Sequence, residues 1–215
     1  MSGKSKSIAG LDPETTLVIQ GINRSLPKSN SGKLFKKVVI TDVDKLGPIL
    51  KKINDETKIK SLVLDDFQYI FGNEFAKSAK TKGYDKYNDY FVDYHTLFNG
   101  LVKLREDLFI HVLWHSEPVY SGNKIVKYEP KFIGAATKKY YNPLGLADII
   151  TYAKPEFDGD GKAEYGLYTK NFQDEDGIEY QARSLEEMFE ETRIPNDLGL
   201  VEKKYHDYYK TEEKV

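Results

Sequence analysis

Apolar positions along the chain gather in short unbroken runs: residues 15–20 (T-T-L-V-I-Q), 38–41 (V-V-I-T), 59–64 (I-K-S-L-V-L) and 108–114 (L-F-I-H-V-L-W). Runs rich in branched residues that do not alternate with polar ones predict strands covered on both faces, as in a parallel sheet. Between them the spacing becomes helical. Asp42 is placed to cap a helix through about Asn54, with Leu46, Ile49, Leu50 and Ile53 on one face and Gly47-Pro48 in the tolerant first turn. A second helix is predicted over 73–80. A longer one over 85–105 carries Tyr87, Tyr90, Phe91, Tyr94, Leu97, Phe98, Leu101 and Leu104 at core-facing intervals. A short helical stretch, 6–11, is closed by Pro13.

Past residue 115 the pattern loosens. A hairpin is expected to turn at Ser121-Gly122-Asn123, a further strand to cover 147–153, and Asp158-Gly159-Asp160-Gly161 to turn into a strand over 164–170. Helices are expected over 185–191 and 197–209. Together these elements predict an α/β fold: a mainly parallel sheet flanked by helices, with an antiparallel hairpin toward the C-terminus and residues 1–215 forming a single domain.

Composition narrows the class. The 215 residues are 40% hydrophobic and 31% charged, a globular balance, and no run approaches the ~20 apolar residues that span a bilayer. Without cysteine there is no disulfide, thiol nucleophile or thiolate-ligated zinc. With no secretory signal in view, a soluble cytoplasmic protein is expected. A net charge of −2 excludes a globally basic nucleic-acid binder, so a basic surface must be local.

Three stretches carry candidate chemistry, and each falls where a parallel sheet gathers ligands, at the carboxyl ends of its strands. Ser2-Gly3-Lys4-Ser5 matches the end of the phosphate loop G-x-x-x-x-G-K-[ST], in which backbone N–H groups wrap phosphates, lysine neutralises them and the hydroxyl reaches Mg²⁺. The strand 62–64 delivers Asp65 and Asp66, acids suited to holding Mg²⁺ and polarising water. His115 ends the next strand, placed to contact a terminal phosphate. His111, inside the apolar run, reads as a hydrogen-bonded core histidine. The acidic turns 158–161 and 174–177 lack calcium-loop spacing and read as turns, and Arg183 reads as a surface arginine.

These stretches, in this order, resemble the phage-encoded RecA-like P-loop ATPases of the AAA class, which include phage single-strand annealing ATPases. The similar segments are 3–7, 11–19, 64–70, 82–86, 113–117 and 194–201. The resemblance implies ATP and Mg²⁺ as cofactors. Ser2, Gly3, Lys4 and Ser5 would hold the nucleotide, Ser5 and Asp65 the metal, with Asp66 and His115 catalytic. It also implies an additional apolar strand and the leading Gly of the phosphate loop before Met1. That strand would sit between the one ending at His115 and the one near 148–153. Without it, two strand edges are expected to lack partners.

In such proteins the loop after the strand that His115 ends here faces DNA. Here residues 116–142 hold Lys124, Lys127, Lys131, Lys138 and Lys139, interleaved with Tyr140 and Tyr141, a composition suited to single-stranded DNA. The reading that follows is a homo-oligomeric ATPase of phage DNA recombination or replication in the host cytoplasm. The alternative is a non-catalytic DNA-binding or assembly module with a degenerate nucleotide site. A nucleoside kinase is disfavoured, because Arg24, Arg105, Arg183 and Arg193 form no arginine-rich lid.

Overall fold

In the computed structural model, which describes residues 3–78, 85–132 and 139–212, a 3₁₀ helix (Lys4–Gly10) leads into strand β1 (Thr16–Gln20). Strand β2 (Lys36–Val39), helix α1 (Leu46–Asp55), strand β3 (Ser61–Asp65), helices α2 (Gln68–Ser78) and α3 (Asp85–Leu101) and strand β4 (Phe109–Leu113) follow. The four strands form one wholly parallel sheet in the order β2-β1-β3-β4.

Alternation within the apolar runs supplies both faces of this sheet. Ile19, Leu62 and Leu64 point into a core shared with Leu50, Ile53, Phe67, Phe71, Tyr94 and Leu97, so α1, α2 and α3 cover that side. Val18 and Val63 point the other way, into a second core with Ile8, Leu167, Phe189, Ile194, Leu198 and Val201. The first face is closed largely by rings. Phe71 and Tyr94 stack at 3.8 Å, and Trp114 lies about 6 Å from both, at 6.2 and 6.1 Å.

Beyond the parallel sheet, β5 (Ser116–Ser121) and β6 (Lys124–Pro130) form the expected hairpin. Strands β7 (Tyr152–Phe157) and β8 (Ala163–Tyr168) form another, with β9 (Phe172–Gln173), β10 (Glu179–Tyr180), β11 (Arg193–Pro195) and helix α4 (Leu198–Glu212) completing the chain. These later strands make two further sheets, β5-β6-β10-β9 and the antiparallel β11-β8-β7. Among the described residues β4 is paired only with β3, and β7 only with β8. No helix among those residues is long and apolar enough to cross a membrane.

Several expectations are corrected. The strand placed at 147–153 starts at Tyr152, and before it only Ile150 is bridged, to Arg183. The helix placed at 185–191 is a turn in which Glu187 has φ 63° while neighbouring Met188 and Phe189 are buried together. The second helix begins earlier, at Gln68, and the third ends earlier, at Leu101. The strand placed at 38–41 lies at 36–39. Asp42 makes no capping bond. Its carboxylate pairs instead with Lys45 (2.9 Å) and Lys77, and α1 is preceded by a 3₁₀ turn, Val43–Lys45.

Candidate functional site

The register of the parallel sheet brings Gln20, Asp65 and Leu113 side by side at the carboxyl ends of β1, β3 and β4. Asp66 and His115 follow immediately. Asp66 is in the left-handed region, φ 52°, a conformation that Asp tolerates better than most residues and that turns the chain sharply from β3 into α2. Gly21 permits this corner, because a Cβ there would stand 2.6 Å from the Asp66 carbonyl oxygen.

The N-terminal segment lies against the same corner. Gly3 adopts φ 83°, with its carbonyl accepting from Asn196 Nδ2 at 2.9 Å, and the chain then coils so that Lys4 and Ser5 face the acids. Ser5 Oγ donates to Asp65 Oδ1 at 2.9 Å, a contact between residues 60 apart in sequence. The other oxygen, Oδ2, accepts from Gln20 Nε2 at 3.1 Å. Lys4 Nζ reaches His115 Nδ1 at 3.5 Å, and His115 Nε2 meets Asp66 Oδ1 at 3.0 Å. A lysine ammonium only donates, so these contacts place the ring proton of neutral His115 on Nε2, aimed at Asp66. Arg24 Nη1 pairs with Asp66 Oδ2 at 3.4 Å.

Charge and burial oppose each other here. Burial pushes the Asp65 carboxyl above its ordinary range, against the hydrogen bonds from Gln20 and Ser5 that favour the ionised form. Burial likewise lowers Lys4, opposed by Asp66 and Asp65, while nearby Arg24 lowers it further. Asp65 and Asp66 are both buried.

Lys4, Ser5, Asp65, Asp66 and His115 are thus brought together, with Gly3 forming the turn before them. Ser2 lies outside the described residues. Two residues of the cluster, Gln20 and Arg24, were not anticipated. Gln20 closes an apolar run with a polar side chain, which was the available signal. Arg24 sits in a polar loop without a local pattern.

The basic and aromatic residues of 116–142 are more dispersed. Lys124 is exposed beside the hairpin turn, Lys127 pairs with Glu129 at 3.5 Å, and Lys131 is exposed at the hairpin base. Its backbone N–H donates to the His115 carbonyl at 2.8 Å, tying the hairpin base to the acidic corner. Lys139 Nζ sits 5.0 Å from the ring centre of Tyr140, which is 69% exposed. Tyr141 is only partly exposed: its ring lies 5.3 Å from His95 and 6.2 Å from Phe91, and its hydroxyl accepts from Asn99 Nδ2. Lys138 lies outside the described residues.

The readings set aside from chemistry have structural roles. His111 meets Glu202 at 2.7 Å, and Glu202 also accepts from Ser61 Oγ at 2.7 Å, which docks α4 on the sheet. Asp158 and Asp174 hold their own turns through backbone N–H groups. Arg183 donates to the Leu144 and Ala147 carbonyls.

Compared with known proteins, the chain matches no family model, no curated protein and no solved structure.

Proposed function

We propose that the chain binds ATP with Mg²⁺ at this corner and hydrolyses it, as a RecA-like ATPase acting on single-stranded DNA in phage recombination or replication. The observation that carries the reading is the Ser5–Asp65 hydrogen bond, which joins the phosphate-loop hydroxyl to the strand-end acid. These are the two side chains by which nucleotide enzymes with a phosphate loop hold magnesium. Among the described residues no three or more His, Cys, Asp or Glu side chains form a metal site of their own. A hydroxyl and a single buried carboxylate suit an ion that takes its remaining ligands from phosphate and water.

Magnesium, when bound, would supply the positive charge that offsets the phosphates' negative charge during in-line attack by water. The protein's residues do the rest. Half-buried Lys4, whose charge Asp66 and Asp65 favour against the cost of burial, supplies a cation to face the phosphates. Asp66 and His115, hydrogen-bonded to each other, form an acid–imidazole pair able to orient water and accept its proton. The tie between Lys131 and His115 gives the β5–β6 hairpin a route by which DNA bound there would alter the position of His115. Assembly into an oligomer and residence in the host cytoplasm belong to the same proposal.

Calorimetric titration with ATP and Mg²⁺, run on this chain and on Lys4→Ala, tests the reading alongside phosphate release. Micromolar binding lost in Lys4→Ala is expected, because a charge-assisted contact from a half-buried cation to phosphate is worth about 1.5–3 kcal/mol. Binding of single-stranded DNA without nucleotide binding by either protein would favour the non-catalytic module.

A further inference from the structure

We propose that Arg24 is a second phosphate-binding cation, parked on Asp66 until a polyphosphate draws it away. The inference rests on the nucleotide reading above and extends it to a residue outside the three candidate stretches.

The backbone and side chain of Arg24 are held very differently. Its backbone is fixed: Arg24 N–H donates to Gln20 Oε1 at 3.4 Å, and its carbonyl accepts from Lys37 Nζ at 2.7 Å. Lys37 also donates to Asn23 Oδ1 at 2.9 Å, and Gln20 is itself bonded to Asp65, so the root of the arm is tied to the acidic corner. The side chain is 57% exposed, while that of Asp66, its ion-pair partner, is 6% exposed. The guanidinium rests 5.9 Å from the ring centre of Tyr69, which is itself edge-on to His115 at 6.2 Å.

A half-exposed ion pair holding one carboxylate oxygen at 3.4 Å is weak, because water screens it and a single contact leaves most of the guanidinium donors unused. A phosphate offers that planar fork two oxygens at once and a larger charge. Arg24 and Lys4 flank the same acid–imidazole pair, Arg24 on Asp66 Oδ2 at 3.4 Å and Lys4 on His115 Nδ1 at 3.5 Å, so an anion seated on Lys4 lies near the guanidinium. Transfer of Arg24 to that anion would leave Asp66 bonded to His115 alone and free to engage water. The chemistry recognised is a polyphosphate chain, whether free or carried by a nucleotide.

Titration calorimetry with tripolyphosphate and with ATP on the unaltered chain, Lys4→Ala, Arg24→Ala and Arg24→Lys gives the test. It is paired with mass-spectrometric mapping of phenylglyoxal labelling at Arg24. The expected result is roughly tenfold weaker binding of both ligands in Arg24→Ala, partly restored in Arg24→Lys, with Arg24 protected from labelling when either ligand is present. Protection by ATP but not by tripolyphosphate would overturn recognition of the phosphate chain as such. If the unaltered chain binds and Lys4→Ala does not, while Arg24→Ala binds normally and Arg24 labels equally with and without ligand, the inference fails and the nucleotide site stands. If no form binds either ligand, both fail together.

Discussion

Asp65 is where residue-level physics is most opposed. Its carboxylate is buried at the end of a central strand, which favours the protonated form, yet Ser5 and Gln20 aim donors at both oxygens, which favours the charge. Burial dominates and the pKa is raised. A carboxyl whose pKa is higher folded than unfolded binds protons more tightly when folded. Its ionised form therefore costs stability at neutral pH, and acidification through the window between the ordinary and raised values recovers it. Melting temperatures of the chain and of Asp65→Asn, followed from about pH 7 to about pH 4, should converge or cross in favour of the unaltered chain as pH falls. A constant difference across that range would show that Asp65 does not titrate in this way. At this scale the sequence exposed Lys4 and Ser5 through the Gly-Lys-Ser stretch, and Asp65, Asp66 and His115 because each follows an apolar run. Arg24 stayed hidden because only the tertiary fold brings it onto Asp66, a pairing that no local pattern records.

Among the elements, α2 and α3 are locked to the sheet by rings. Phe71 and Tyr94 are fully buried and stacked, and Trp114, adjacent to His115, packs on both. Phe71→Ala should cost about 3–5 kcal/mol, read by urea unfolding, with a red-shifted Trp114 emission as water reaches the indole. Unchanged stability would mean that the helices are held by other contacts. At the opposite face, Glu202 accepts from Ser61 and His111. Glu202→Ala should lose about 1–3 kcal/mol of stability in the same assay, and Glu202→Gln less, since its amide oxygen still accepts. The central strands were legible because burial on both faces demands unbroken apolar runs. The C-terminal elements were less so. Leu185, Met188 and Phe189 mimic a helical stripe, but Met188 and Phe189 reach the core from a turn. The apolar run before Tyr152 looks like a strand, yet Ile150 alone finds a bridging partner there. Local pattern encodes burial, whereas the choice of partner is made by the tertiary fold.

For the whole molecule, the base of the β5–β6 hairpin is tied through Lys131 to His115, so the surface proposed to bind single-stranded DNA is joined to the acidic corner. The two tyrosines proposed for base stacking are not equivalent. Tyr140 is open to solvent beside Lys139, whereas Tyr141 packs on α3. Tyr140→Ala should weaken single-stranded DNA binding by about 1–3 kcal/mol, in an affinity that falls with salt. Tyr141→Ala should act chiefly on thermal stability. Equal losses of DNA affinity, or binding indifferent to salt, would contradict that division. The most direct test of the account is the magnesium dependence of ATP affinity in the unaltered chain, Ser5→Ala and Asp65→Asn. If Ser5 and Asp65 serve one ion, magnesium should tighten ATP binding to the unaltered chain, and either substitution should remove most of that gain while sparing much of the metal-free affinity. Equal tightening by magnesium in all three proteins, or no ATP binding by the unaltered chain, would contradict it.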